Sequence, residues 1–211
     1  MRDSMVKVVA FNCSPRKDGN TAHMIRTVLD VLESEGIETE MVQVGGNVLR
    51  GCAVCGACKR NKDMKCAFGK DGINDYAQKM LDADGIIIGS PTYYSDMTAE
   101  CKALIDRCGS VLGPAGKPLS RKVGAAVSAV RRAGGINTID SIQHFFTINE
   151  MYIASSSYWN MSLSRDLGDF EKDEEGIRTM RKLGENMAYL LKKLQWKTID
   201  TGALSRGIGA F

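Results

Sequence analysis

"MVKVVAFNCSPRKDGNTAHMIRTVLDVLE", residues 5 to 33, places an apolar run, a polar turn and a helical period in direct succession. Residues 5 to 11 read as a strand, and Met24, Ile25, Val28, Leu29, Val31 and Leu32 form the apolar stripe of a helix over 20 to 35. The pattern recurs. Further apolar runs lie at 83 to 90, 122 to 130 and 151 to 157, and "IETEMVQV" (37 to 44) alternates like a strand nearer an edge. Helical periods at 73 to 82, 97 to 108, 135 to 147 and 173 to 195 separate them. Strand followed by helix, repeated along the chain, predicts right-handed crossovers and an α/β fold with a parallel sheet covered on both faces.

The composition is that of an ordinary globular protein: 211 residues, 44% hydrophobic, Lys+Arg 28 against Asp+Glu 25 and a net charge of +3. Its basic residues form no run dense enough for a nucleic-acid face, so small anions are the expected ligands. No stretch approaches the roughly 18 apolar residues that a spanning helix needs, and the start lacks a cleavable leader pattern, so no membrane role is expected and the location expected is cytoplasmic. Seven cysteines, an odd number in a reducing compartment, argue against a disulfide framework. Without repeats or linkers the reading is one domain over 1 to 211. Residues 45 to 72 form a cysteine-rich insertion, 158 to 172 a polar loop, and the unpatterned tail follows 196.

After the first strand, Ser14, Arg16, Asn20 and Thr21 crowd the start of the first helix, where free N–H groups and the positive end of the dipole favour a phosphate. GxxxxGK[ST] and GxGxxG are both missing, so a monophosphate suits the loop better than a triphosphate or a dinucleotide. The competing reading makes these residues simple turn and cap formers. The third strand ends in "GSPTYYSDMTAECKALIDR", with Pro91, Thr92, Tyr93, Tyr94 and Ser95 at the same sheet edge, and the fourth in "SAVRRAGGINTID". There Gly134 and Gly135, after Ala133, allow main chain to approach a planar ligand, and Arg131 and Arg132 would offset its charge. Plain packing of the tyrosines and a solvated arginine turn are the alternatives. His23 and His144 read as surface or cap residues, and Cys13, Cys101 and Cys108 as core fillers.

Cys52, Cys55, Cys58 and Cys66 form C-x2-C-x2-C-x7-C. Three thiolates at three-residue intervals with a fourth from across the loop suit an iron-sulfide cubane, whereas structural zinc more often takes two separated pairs. Zinc and metal-free cysteines stay open as alternatives. Lys59, Arg60, Lys62 and Lys65 among them would favour thiolates.

"NCSPRKDGNT", "GSPTYYSDMTAECKALIDR" and "AGG" together resemble the NAD(P)H-dependent FMN reductase group of flavodoxin-like proteins over roughly residues 5 to 195, and the compact cysteine motif resembles its iron-sulfur flavoprotein branch. The resemblance implies a flavodoxin-like three-layer sandwich with a five-stranded parallel sheet in the order 2-1-3-4-5. It further implies FMN, with Ser14, Arg16, Asn20 and Thr21 on its phosphate, Pro91 to Ser95 along the ring and Ala133 to Gly135 near its pyrimidine side. One [4Fe-4S] cluster on the four cysteines, NAD(P)H or a ferredoxin-like protein as redox partner, and a homodimer or homotetramer are also implied. Flavin chemistry needs no protein nucleophile, so no catalytic acid or base is named. An electron carrier without a small-molecule substrate and a redox sensor are the rival functions.

Overall fold

Val8 and Ala10 face one side of the first strand and Val9 and Phe11 the other, and all four are fully buried. A strand apolar on both faces belongs inside a sheet with helices above and below. In the computed structural model, which describes residues 5–194, β1 (Lys7–Asn12) lies between β2 (Glu38–Gln43) and β3 (Gly85–Pro91). Next to β3 comes β4 (Val123–Val130), then β5 (Tyr152–Ile153), all parallel and in the expected order β2-β1-β3-β4-β5. As the alternation in 37 to 44 suggested, β2 is an edge strand.

On one face, α1 (Asn20–Ser34) and α6 (Glu174–Leu194) cover Val8, Ala10, Ile87 and Val127. On the other, α3 (Ile73–Asp82), α4 (Ala99–Leu112) and α5 (Gly135–Ile148) cover Val9, Phe11, Ile86 and Ile88. Cys13, Cys101 and Cys108 are fully buried in this second layer, as core fillers should be. The insertion holds one short α-helix, α2 (Ala57–Asn61), and a 3-10 turn at Gly69–Asp71.

The fifth strand differs from the reading of 151 to 157. Only Tyr152 and Ile153 pair with β4; the chain then leaves the sheet and returns as β6 (Met161–Leu163), parallel to Ser128–Val130, inside what reads as a polar loop. Serine chemistry accounts for the gap. The Ser156 hydroxyl lies 2.6 Å from both the Tyr158 carbonyl and Asn160 Oδ1, a local arrangement that competes with the strand ladder. The tail after 196 lies outside the described residues.

Because the strands are parallel, the chain leaves β1, β3 and β4 at a single edge. The order reverses between β1 and β3, which is where open α/β sheets bind ligands.

Candidate functional site

A cavity of about 370 Å³ opens at that edge. Ser14, Arg16, Asn20 and Thr21 line it from the β1–α1 side, Pro91, Thr92 and Tyr93 from the end of β3, and Arg131 from the end of β4. The segment after β6 closes it with Ser164, Arg165 and Asp166.

Its chemistry is that of an anion site. The N-cap of α1 is Gly19, with no side-chain cap, so the first-turn N–H groups remain open at the cavity; α4, by contrast, is capped by its own Thr98, whose hydroxyl accepts from Cys101 N at 3.3 Å. The simple capping reading of Ser14 to Thr21 therefore fails for the side chains. Neither Arg16 nor Arg131 has a side-chain partner among the described residues, Arg165 reaches Asp166 only at 3.9 Å, and Asp166 is the one carboxylate on the wall. Three guanidiniums against one carboxylate favour a dianion. Ser14 Oγ accepts from Arg16 N at 3.2 Å, which leaves its hydroxyl proton for a ligand.

Asn20 plays a different part from the other three. Its amide donates to the Asp166 carbonyl at 2.8 Å and accepts from Phe170 N at 3.4 Å, pinning the wall formed by 166 to 170. His23 works beside it, bonded to Glu171 and, at 3.1 Å, to Asp18.

The loop after β3 is a tight turn: Tyr93 N donates to Asp96 O at 2.7 Å and Asp96 N to Tyr93 O at 3.0 Å. Both central residues, Tyr94 (φ 49°) and Ser95 (φ 65°), are left-handed, a conformation that such turns usually assign to Asn-Gly. Strain of this kind concentrates at functional sites. It holds the Tyr94 ring wholly in solvent. Of the N–H groups from Thr92 to Ser95, Thr92's goes to Ala129 O and Tyr93's to Asp96 O, so only those of Tyr94 and Ser95 lack a partner among the described residues. The Thr92 hydroxyl is also engaged, with Ser128 at 2.9 Å and Thr138 at 3.0 Å.

Ala133, Gly134 and Gly135 lie beside this turn, outside the cavity wall. Gly134 sits at φ 90°, and a Cβ there would fall 2.7 Å from Ser95 Cα, so glycine alone lets the two loops meet. Opposite effects are expected at the two positions. Ser95→Gly should stabilise the ligand-free protein by about 0.5–1 kcal/mol through lost strain, and Gly134→Ala should cost about 1–3 kcal/mol. Urea unfolding midpoints would check both.

The four motif cysteines meet elsewhere. Cys52, Cys55, Cys58 and Cys66 all line a second cavity of about 350 Å³ between the insertion and α4. Val54 (φ 50°), Lys62 (φ 52°) and Met64 (φ 58°) are left-handed as the loop bends round it. Among the described residues no three metal-binding side chains converge tightly enough to hold a single ion. Four thiols on one cavity wall are a donor set that either an iron-sulfur cluster or zinc uses.

Arg107 underlies this loop, and sequence reasoning assigned it nothing. Its side chain is 2% exposed; it pairs with Asp71 and donates to the carbonyls of Phe68 at 2.8 Å and Arg50 at 3.2 Å and to Cys66 Sγ at 3.4 Å. Burial alone would raise the Asp71 pKa, but the Arg107 hydrogen bonds and charge outweigh it and hold the carboxyl below its usual range. The clamp is thus fully formed above the ordinary carboxylate pKa of about 3.9 and weakens as pH falls through the lower folded value. A signal was there to read: Arg107 sits three residues after Leu104 and next to Cys108, a charge on the helix's apolar stripe.

Comparison with known proteins gives the family. The family model described as NADPH-dependent FMN reductase matches residues 6–166, and the chain belongs to that family. Membership places it among FMN-dependent oxidoreductases. An iron-sulfur flavoprotein of Methanocaldococcus jannaschii is 34% identical over 197 residues, covering 90% of this chain and 100% of its own. One from Methanosarcina thermophila is 31% identical over 198 residues, covering 90% and 97%. Within the family the chain is of the iron-sulfur flavoprotein branch. In fold it is similar to a WrbA-like flavodoxin from Agrobacterium tumefaciens, at TM-score 0.63 and 16% identity over 90% of this chain and 99% of that one.

Proposed function

We propose that the protein takes electrons from NAD(P)H or a reduced protein through FMN and passes them to an acceptor, with a [4Fe-4S] cluster on Cys52, Cys55, Cys58 and Cys66. The observation that carries the reading is the first cavity, where an uncapped helix and two unpartnered arginines face a single carboxylate. When bound, FMN supplies hydride acceptance with single-electron release and the cluster supplies one-electron steps. The chain's own work is to bind and orient. Ser14, Arg16, Thr21 and the first-turn N–H groups of α1 hold the phosphate, Asn20 fixes the far wall, Pro91 to Ser95 lie along the ring, and Ala133 to Gly135 flank it. The cytoplasm, which keeps the four thiols reduced, is the compartment we assign.

A carrier role is favoured by a separate observation: Arg50, Lys59, Arg60, Lys62, Lys65 and Lys70 are all exposed around the cysteine loop, a fringe suited to an acidic protein such as a ferredoxin. Anaerobic assays separate the two readings. Steady oxidation of NADPH or NADH with quinone or free flavin as acceptor is the expected result; reduction by ferredoxin alone would leave the carrier.

Assembly belongs to the same proposal. Thr98 and Ser110 stand near the two cavities at opposite ends of α4, about 18 Å apart at 1.5 Å per residue. Another copy would offer a shorter route between centres. Tyr158 and Trp159, stacked edge to face at 4.5 Å and both half exposed, supply an apolar patch for it. A dimer or tetramer in sedimentation is expected, and a monomer at micromolar concentration would remove this part.

A further inference from the structure

We infer that Arg107 is the positioning residue of the cysteine loop, fixing Cys66 as the preset ligand onto which the other three thiols close and raising the reduction potential of the bound cluster. The inference rests on the cluster reading above and deepens it.

The four cysteines are not held alike. Asn74 grips the Cys66 backbone from both sides, accepting from its N–H at 2.7 Å and donating to its carbonyl at 3.2 Å. Gly69 N donates to the same carbonyl at 3.1 Å, and Arg107 donates to the sulfur itself. Among the described residues nothing comparable holds Cys52 or Cys55, while Cys58 is carried by α2. Cys52 has a 4.0 Å contact to Ser110, Cys55 is bound only through its carbonyl, to Arg60 at 3.1 Å, and both are exposed.

The geometry of Arg107 suits this task in a way that a lysine's would not. A planar guanidinium offers five donors in a fixed fork, and here they reach both ends of the insertion at once: Arg50 before the first cysteine, Phe68 and Asp71 after the last. With Asp71 balancing its charge, the guanidinium is stable in a buried setting, and Arg107 crosslinks the two ends of the loop through α4. Hydrogen bonds to ligand sulfur stabilise the more negative, reduced state of a cluster, which raises its potential.

The experiment compares wild type with Arg107→Lys and Arg107→Gln in two arms. In the metal-free protein each cysteine's alkylation rate by iodoacetamide is followed by peptide mass mapping. Cys66, part-buried and held through its backbone, should react more slowly than the exposed Cys52 and Cys55 in wild type, and release of the loop should bring its rate toward theirs in both variants. In the second arm the anaerobically purified holoproteins are titrated for cluster potential and iron content. Both variants should keep FMN, hold less iron and show a lower potential in what remains, with Arg107→Lys nearer to wild type. Wild-type alkylation of Cys66 together with wild-type potential in Arg107→Lys would overturn the inference, even if Arg107→Gln failed to fold. Wild-type protein that takes up no iron would instead defeat the cluster reading, while the alkylation arm would still report whether Arg107 holds Cys66.

Discussion

Cys55→Ser is expected to abolish iron binding while leaving the FMN content unchanged. The two sites are built from different segments, the cavity proposed for flavin from the ends of β1, β3 and β4 and the cysteine cavity from the insertion packed on α4, so one can be lost without the other. Cys55 is exposed and lies on the loosely held arm; its sulfur does no work in the core, and its loss should cost little stability. Serine keeps the shape but is a poor iron ligand beside a thiolate. Cys101→Ala, on the buried face of α4, should do the reverse, keeping iron at some cost in stability. Iron assays and flavin absorbance on the two variants would decide: iron retained in Cys55→Ser would refute the ligand assignment.

Arg16→Ala should raise the dissociation constant for FMN by roughly 10- to 150-fold, because a charge-assisted hydrogen bond to phosphate is worth about 1.5–3 kcal/mol. Without a carboxylate partner of its own, the guanidinium loses nothing else when it is removed. Riboflavin, identical in its ring but lacking phosphate, is the internal control. Its affinity should be the same in wild type and variant. Equal FMN affinity in the two proteins would mean that the phosphate does not sit among Ser14, Arg16 and Thr21.

Much of this was legible in the chain because period and punctuation agree. Val8 to Phe11 alternate between two buried layers, and the helical stripe from Met24 to Leu32 lies on one of them, so strand and helix are each fixed by local pattern. The fifth strand was read too simply because Ser156 forms local hydrogen bonds instead of a ladder, and apolar patterning does not register that choice. In the site, residue types identified an anion loop, yet which groups are free depends on partners far along the sequence. Asn20 turns to Asp166 and Phe170, and Thr92 to Ser128 and Thr138, pairings that only the folded chain creates. Arg107 was hidden for the same reason: a buried arginine has meaning only once Asp71 and Cys66 stand beside it.

Cofactor content of the anaerobically purified protein tests the two-centre reading most directly. Iron, acid-labile sulfide, zinc and FMN should be measured on one preparation with its visible spectrum. About four iron and four sulfide per FMN, with flavin peaks on a broad brown shoulder and no zinc, is the expected result. One zinc per chain, or flavin with neither iron nor sulfide, would contradict it and leave a flavin reductase whose cysteine loop has another purpose.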